Sequence, residues 1–203
     1  MTRRPAAVVL VALVALTGCQ APTPSEPPPT RTTAAAAPSP TPSPSCTPEA
    51  GGASYPCTPA QYAAMKQKDA LYAEAEAVYR EFHAESVRLS RVGGAATATD
   101  LLKKLTTGSA LKGITEVFAS MHRRGVHAEG VDPEIRISRL PGRSKAGSIV
   151  ALTICTDSTG WRYLKGDEQV GVGRIANEDV YFSRASGALK LIGVDGREAA
   201  TCA

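Results

Sequence analysis

Thr58-Pro59-Ala60-Gln61 opens the stretch that decides the fold. Thr58 can cap a helix, Pro59 suits the first helical position, and Gln61, three residues past the cap, completes a capping box. Behind it Leu71, Ala75, Val78, Phe82 and Leu89 recur at helical spacing, so one apolar stripe runs along a helix that extends to about Arg91. Glu76 with Arg80 supports the wet face. Arg88 and Arg91 suit the negative end of the helix dipole, and Gly93-Gly94 stop the helix.

Moving outward toward the carboxyl end, Thr97-Ala98-Thr99-Asp100 starts a second, short helix with Leu101, Leu102 and Leu105, ended by Gly108. Ser109 is expected to cap a third, whose buried face is Leu111, Ile114, Val117, Phe118 and Met121. Arg123, Arg124 and Gly125 close it. From Val126 the period becomes two. Ile135 and Ile137 alternate with charges, and Ser148 to Cys155 is apolar on both sides, which predicts a central strand. Trp161–Leu164 and Val170–Ile175 read as strands around a Gly166-Asp167 turn, and Val180–Arg184 with Leu189–Val194 as a hairpin across Ser186-Gly187. Helices first and antiparallel strands after predict an α+β domain, three amino-terminal helices packed on one face of a curved antiparallel sheet.

Moving outward toward the amino end, Cys46 and Cys57 bracket a loop (residues 46–57) with Gly51-Gly52 and Pro56. Cys155 and Cys202 bring the count to four beyond Cys19. An even number reads as two disulfides if the chain is exported, with three pairings open. The Gly- and Pro-rich loop favours Cys46–Cys57, which leaves Cys155, at a strand end, with Cys202 after the last strand. No Cys-x-x-Cys and no histidine at ligand spacing accompany them, so no metal is assigned.

Residues 19–45 are Ala, Thr and Ser broken by prolines such as Pro27, Pro28, Pro29, Pro38 and Pro40. Proline removes the amide donor, so neither helix nor sheet propagates, and the segment is expected to be a disordered spacer. Extended, it reaches about 80 Å. Residues 1–18 have the layout of a signal peptide: Arg3 and Arg4, then the uncharged run Ala6 to Leu16. From Pro5 to Gly18 the uncharged stretch is roughly 14 residues, short of the ~20 that span a bilayer core.

Leu16-Thr17-Gly18-Cys19 resembles a lipobox, the processing signal of bacterial lipoproteins. Cys19 would then carry a diacylglyceryl thioether, because a thiolate is the side chain readily alkylated there, and residues 46–203 would form an extracytoplasmic domain tethered to the outer face of the plasma membrane. The net charge of +4 includes Arg3 and Arg4, and no basic face concentrates the rest, so nucleic acid is not an expected partner.

Three amino-terminal helices, then Gly125-Val126-His127-Ala128-Glu129-Gly130, Ile154-Cys155-Thr156-Asp157 and a closing hairpin ending in Cys202, resemble an actinobacterial lipoprotein family. Its domains are similar to the nuclear-transport-factor-two-like (SnoaL-like) cone. The resemblance matches Cys155, Asp157 and Cys202, and it implies a cavity between the long helix and the sheet; Tyr79, Phe82, Trp161 and Tyr181 are the candidates to line it, with core packing as the alternative reading of all four. Enzymes on this fold use an Asp or His for proton transfer. Of the candidates His83, His122, His127 and Asp157, His83 is expected off the apolar stripe, His122 exposed, and Asp157 capping Thr159 or Gly160. No catalytic residue and no cofactor are assigned. Gly171-Val172-Gly173-Arg174-Ile175-Ala176 spells a dinucleotide fingerprint, but no helix follows to hold a pyrophosphate. The expected function is non-catalytic binding of a small apolar ligand or an envelope protein. A structural subunit of an envelope or secretion assembly, or an isomerase- or cyclase-type pocket enzyme, are the alternatives.

Overall fold

A computed structural model describes residues 43–145 and 147–202. The expected signal peptide, Cys19 and all of the spacer except residues 43–45 lie outside the described residues. The domain is α+β, with three helices and antiparallel sheets.

Helix α1 (Pro59–Arg91) begins as the capping pattern predicts. The Thr58 side chain accepts from the Gln61 amide at 3.2 Å, and the Gln61 side chain accepts from the Thr58 amide at 2.8 Å. Helix α2 (Asp100–Leu105) is capped by Thr99. Helix α3 (Gly108–Arg124) differs from expectation at its start. Gly108 opens it instead of ending α2, and Thr107 occupies the cap position. Ser109 is inside the helix and donates to the Ile192 carbonyl at 3.0 Å, so its hydroxyl ties α3 to the sheet.

A small hairpin, β1 (Ser45–Cys46) with β2 (Tyr55–Pro56), precedes α1, and the Cys46–Cys57 disulfide closes it. The later strands are β3 (Val126–Gly130), β4 (Glu134–Arg139), β5 (Val150–Asp157), β6 (Trp161–Lys165), β7 (Glu168–Val172), β8 (Ile175–Ala185) and β9 (Ala188–Glu198). The expected single strand over 170–175 is in fact two, parted at Gly173-Arg174. The Cys155–Cys202 disulfide binds the tail to β5.

The hydrogen bonds divide these strands into a three-stranded sheet, β3-β6-β7, and a four-stranded sheet, β4-β5-β8-β9, where one curved sheet was expected. The two are halves of one meander broken at a corner. Chain runs β3 to β4, β5 to β6 and β7 to β8 each pass from one sheet into the other, and they lie in the same order on both sides. Gly130 pairs with Trp161 before the corner, and Glu134 with Asp157 after it. Two glycines permit so sharp a break. A Cβ on Gly130, at φ +116°, would stand 2.0 Å from the Gly160 carbonyl oxygen, and one on Gly173 would stand 1.8 Å from that of Ser158. Ser158 completes the corner with its hydroxyl, which donates to the Arg174 carbonyl at 2.7 Å and accepts from the Arg174 amide at 3.0 Å.

Strand β5 is central, between β4 and β8, as its two-sided apolar sequence predicts. Its alternate residues Val150, Leu152 and Ile154 join Val180 and Phe182 of β8, Leu189 and Leu191 of β9, and Tyr72, Ala75 and Tyr79 of α1 in the main core. Leu71, Val78 and Phe82 of the predicted stripe pack against this cluster. Leu89, Leu102 and Phe118 make a second cluster where the three helices meet. Truncating a fully enclosed side chain such as Phe182 costs about 3–5 kcal/mol, so the main core holds α1 to β5, β8 and β9, while the second cluster holds the helices to one another.

Candidate functional site

The corner and α1 leave space between them. A cavity of about 510 Å³ opens there, walled by α1, by α3 and by both sheets. Helix α1 contributes Tyr79, Phe82, His83, Ser86, Val87 and Ser90. Helix α3 contributes Ala110, Gly113, Ile114 and Val117. The sheets contribute Thr156, Trp161, Tyr163, Ala176, Glu178 and Leu191, with Ser158 and Arg174 at the corner.

Its walls are aromatic. The Tyr79 and Phe82 rings lie 5.8 Å apart, tilted, and Trp161 meets Tyr163 edge-on at 6.1 Å. His83 stacks with Tyr79, ring centroids 6.3 Å apart. Trp161 is 5% exposed, and its indole N–H has no hydrogen-bond acceptor among the described residues. Such a buried donor is a group that structures normally satisfy.

Glu178 is the charged centre. It sits on β8 two residues before Val180, so the period of two turns it inward with Val180 and Phe182 toward α1. Gly196, its partner on β9, leaves it room: a Cβ there would touch the Glu178 Cγ at 3.6 Å. The Tyr79 hydroxyl donates to Glu178 Oε2 at 3.4 Å, and no cation lies within ion-pair distance of the carboxylate among the described residues. Burial raises the Glu178 pKa above the ordinary carboxylate range, and the Tyr79 hydrogen bond offsets part of that rise. Burial, then the Glu178 charge, also pushes the Tyr79 phenol upward. Burial lowers His83, so its imidazole is held toward the neutral form, while a hydrogen bond to the Pro133 backbone works the other way. Arg174, at the rim, pairs with Glu198 instead.

Three of the four expected lining residues, Tyr79, Phe82 and Trp161, meet in this cavity. Tyr181 does not. It alternates with Val180 and Phe182 and therefore faces the other side of the sheet, where Lys145 lies 5.6 Å over its ring. His83 is a second correction, because it lines the cavity instead of pointing away. The helix has a wider inner face than the apolar stripe: Tyr72, Ala75, Tyr79, His83, Ser86 and Ser90 form an adjoining line at steps of three and four. His122 is exposed at the end of α3. His127 lies on β3 with its ring 3.4 Å from Glu129. Asp157 Oδ1 accepts from both the amide and the hydroxyl of Thr159, at 3.0 and 2.6 Å, which lowers its pKa and gives it the capping role expected. Cys46, Cys57, Cys155 and Cys202 form the two disulfides favoured by their spacing.

No family model, curated protein or solved structure matches the chain. The cavity combines apolar and polar groups. It offers an apolar enclosure, one inward carboxyl group, two phenols, a neutral-leaning imidazole and several hydroxyls, which suit the binding of a small molecule and the movement of a proton.

Proposed function

We propose that the chain is a lipid-anchored, extracytoplasmic lipoprotein whose folded domain binds a small, largely apolar molecule in the cavity between α1, α3 and the corner of the sheets. The cavity itself is the observation that carries this reading. Its roughly 510 Å³ falls within the ~300–1,000 Å³ of small-molecule sites, and aromatic walls with a few polar groups are their usual lining. The anchor rests on Leu16-Thr17-Gly18-Cys19, and the two disulfides favour an oxidising compartment. The same reading groups the domain with SnoaL-like cones, since a long helix beside antiparallel strands that turn through a corner is compatible with the curved sheet of that likeness.

Gly113 supplies the test of the pocket. It lines the cavity from mid-α3, and a Cβ built on it meets nothing within 4 Å, so a larger side chain can enter without displacing a neighbour at its root. The neutral fluorophore N-phenyl-1-naphthylamine should bind saturably, one per chain, and Gly113→Phe should abolish that binding while keeping the melting temperature. Equal binding by the blocked variant overturns the pocket reading. For the anchor, Cys19→Ser should end palmitate incorporation and release the protein from membranes; retention of both overturns it.

One observation favours a second reading, a pocket enzyme of the isomerase or cyclase type. Glu178 has the raised pKa and the enclosure of a general acid or base, with Tyr79 beside it. Turnover of a bound carbonyl compound, lost in Glu178→Gln with binding retained, would establish it.

A further inference from the structure

We propose that the ligand of this cavity is a small organic amine, its ammonium group seated on the Glu178 carboxylate and its apolar body among the rings of Tyr79, Phe82, Trp161 and Tyr163. This rests on the small-ligand reading above and narrows it to one chemical class.

Glu178 is the acidic side chain of the lining, and among the described residues it has no ion-pair partner; its hydrogen bond from the Tyr79 hydroxyl is long, 3.4 Å. A carboxylate drawn into an enclosure without a cation is costly, and a ligand that brings the cation removes that cost. The other charged group at the wall, Arg174, has its guanidinium on Glu198. His83, the basic group on α1 that faces the space, is held toward neutrality by burial. Tyr79 and Tyr163 are phenols pushed upward, so they stay uncharged. From α1, from α3, whose lining residues carry no charge, and from both sheets, the uncompensated charge is therefore negative.

The walls point the same way. A ring face carries negative potential and attracts an ammonium group, and aromatic enclosures with one carboxylate are suited to organic cations. An anionic ligand would meet Glu178 as a like charge, and a neutral one would bring it no cation.

Trp161 makes the inference directly measurable. It is the single tryptophan of the chain and stands in the cavity wall, so its fluorescence reports occupancy. Three probes of matched shape separate the alternatives: phenethylamine, phenethyl alcohol and 3-phenylpropanoate, titrated against the folded chain and against Glu178→Gln. At mildly alkaline pH the amine should bind at least roughly tenfold more tightly than the alcohol, the free-energy equivalent of one charge-assisted hydrogen bond, and the anion more weakly than either. Glu178→Gln should erase the amine's advantage and leave the alcohol's affinity unchanged, which also certifies the variant's fold. The advantage should shrink as pH falls and Glu178 takes up its proton. Equal binding of amine and alcohol, preference for the anion, or an advantage that survives Glu178→Gln overturns the amine assignment while the pocket reading stands. If none of the three perturbs Trp161 at millimolar concentration, the amine assignment fails; whether the pocket reading fails with it is decided separately by the naphthylamine and Gly113→Phe.

Discussion

Tyr79 and Glu178, ninety-nine residues apart, meet through a 3.4 Å hydrogen bond that joins the middle of α1 to β8 inside the cavity. Tyr79 is 2% exposed and belongs to the main core; Glu178 faces the space beside it. The pair thus marks where packing ends and the site begins. Its chemistry follows from that position, since burial and not a neighbouring charge sets the pKa of the carboxyl group.

The first prediction concerns the pH dependence that Glu178 imposes. Its folded pKa is raised above the ordinary ~4.3, so the folded state holds the proton more tightly than the unfolded chain. The group's stabilising contribution is full below about pH 4.3 and is lost as pH rises through the folded pKa. Glu178→Gln should remove this loss and raise stability at neutral pH by about 1 kcal/mol. Tyr79→Phe should lower it by about 1 kcal/mol, because the Glu178 carboxyl group loses the hydroxyl that donates to it. Urea unfolding at a series of pH values measures both.

The second prediction has the opposite sign. Glu85 is 5% exposed, accepts from Arg88 Nε at 2.7 Å and Nη2 at 2.8 Å, and takes the Thr99 hydroxyl at 2.8 Å. The Arg88 hydrogen bonds outweigh burial and lower its pKa. Its contribution is present above the ordinary ~4.3 and is lost as pH falls through the lowered folded value. Arg88→Met should cost about 2 kcal/mol at neutral pH, less than the 3–5 of a fully enclosed pair because the guanidinium is half in water. Glu85→Gln in the same chain should recover part of it, a coupling that a double-mutant cycle in urea reads out.

The helices were legible because their signals are local. Thr58 and Gln61 lie three residues apart, and the stripe from Leu71 to Leu89 lies within one element. The site was less so. Counting apolar residues alone draws the stripe through Phe82 and passes over His83, Ser86 and Ser90, which continue the line of Tyr79 toward the cavity and, being polar or titratable, carry no apolar signal. Glu178 sits in Asn177-Glu178-Asp179, where three polar residues hide the alternation; carrying the period of two back from Phe182 and Val180 reaches it. The same step shows why Tyr181 is on the far side. The corner could not be read at all, because Gly130 meets Gly160, and Gly173 meets Ser158, only through pairing that no local pattern announces.

A third prediction concerns the two disulfides. The separations are 11 residues for Cys46–Cys57 and 47 for Cys155–Cys202. Loop closure in the unfolded chain makes them worth about 3 and about 4 kcal/mol. The double Cys-to-Ser variant of the second pair should melt lower than that of the first, since it also frees the tail whose Cys202 carbonyl accepts from Arg136 at 2.7 Å. Calorimetry of the two variants gives the order; the reverse order would mean that the amino-terminal loop, held to α1 through Tyr72 and Glu49, stabilises more than its length implies.

The last prediction contrasts two glycines. Gly173 stands where the chain leaves β7, and a Cβ there would meet the Ser158 carbonyl oxygen at 1.8 Å and its carbon at 2.6 Å, both backbone atoms that cannot swing aside. Gly173→Ala should therefore push the corner open and cost about 3 kcal/mol, an overpacking penalty at the upper end of its range. Gly113, inside α3, has open space around its Cβ, and glycine there gives up more chain entropy on folding than alanine does. Gly113→Ala should stabilise the domain by about 0.5–1 kcal/mol. Ligand binding separates the two further. The corner carries Trp161 and Ser158, so Gly173→Ala should weaken binding and shift the tryptophan emission, while Gly113→Ala, one methyl group at the wall, should leave both nearly unchanged. A Gly173→Ala protein with unaltered emission and stability would show that the break between the sheets does not depend on that close approach.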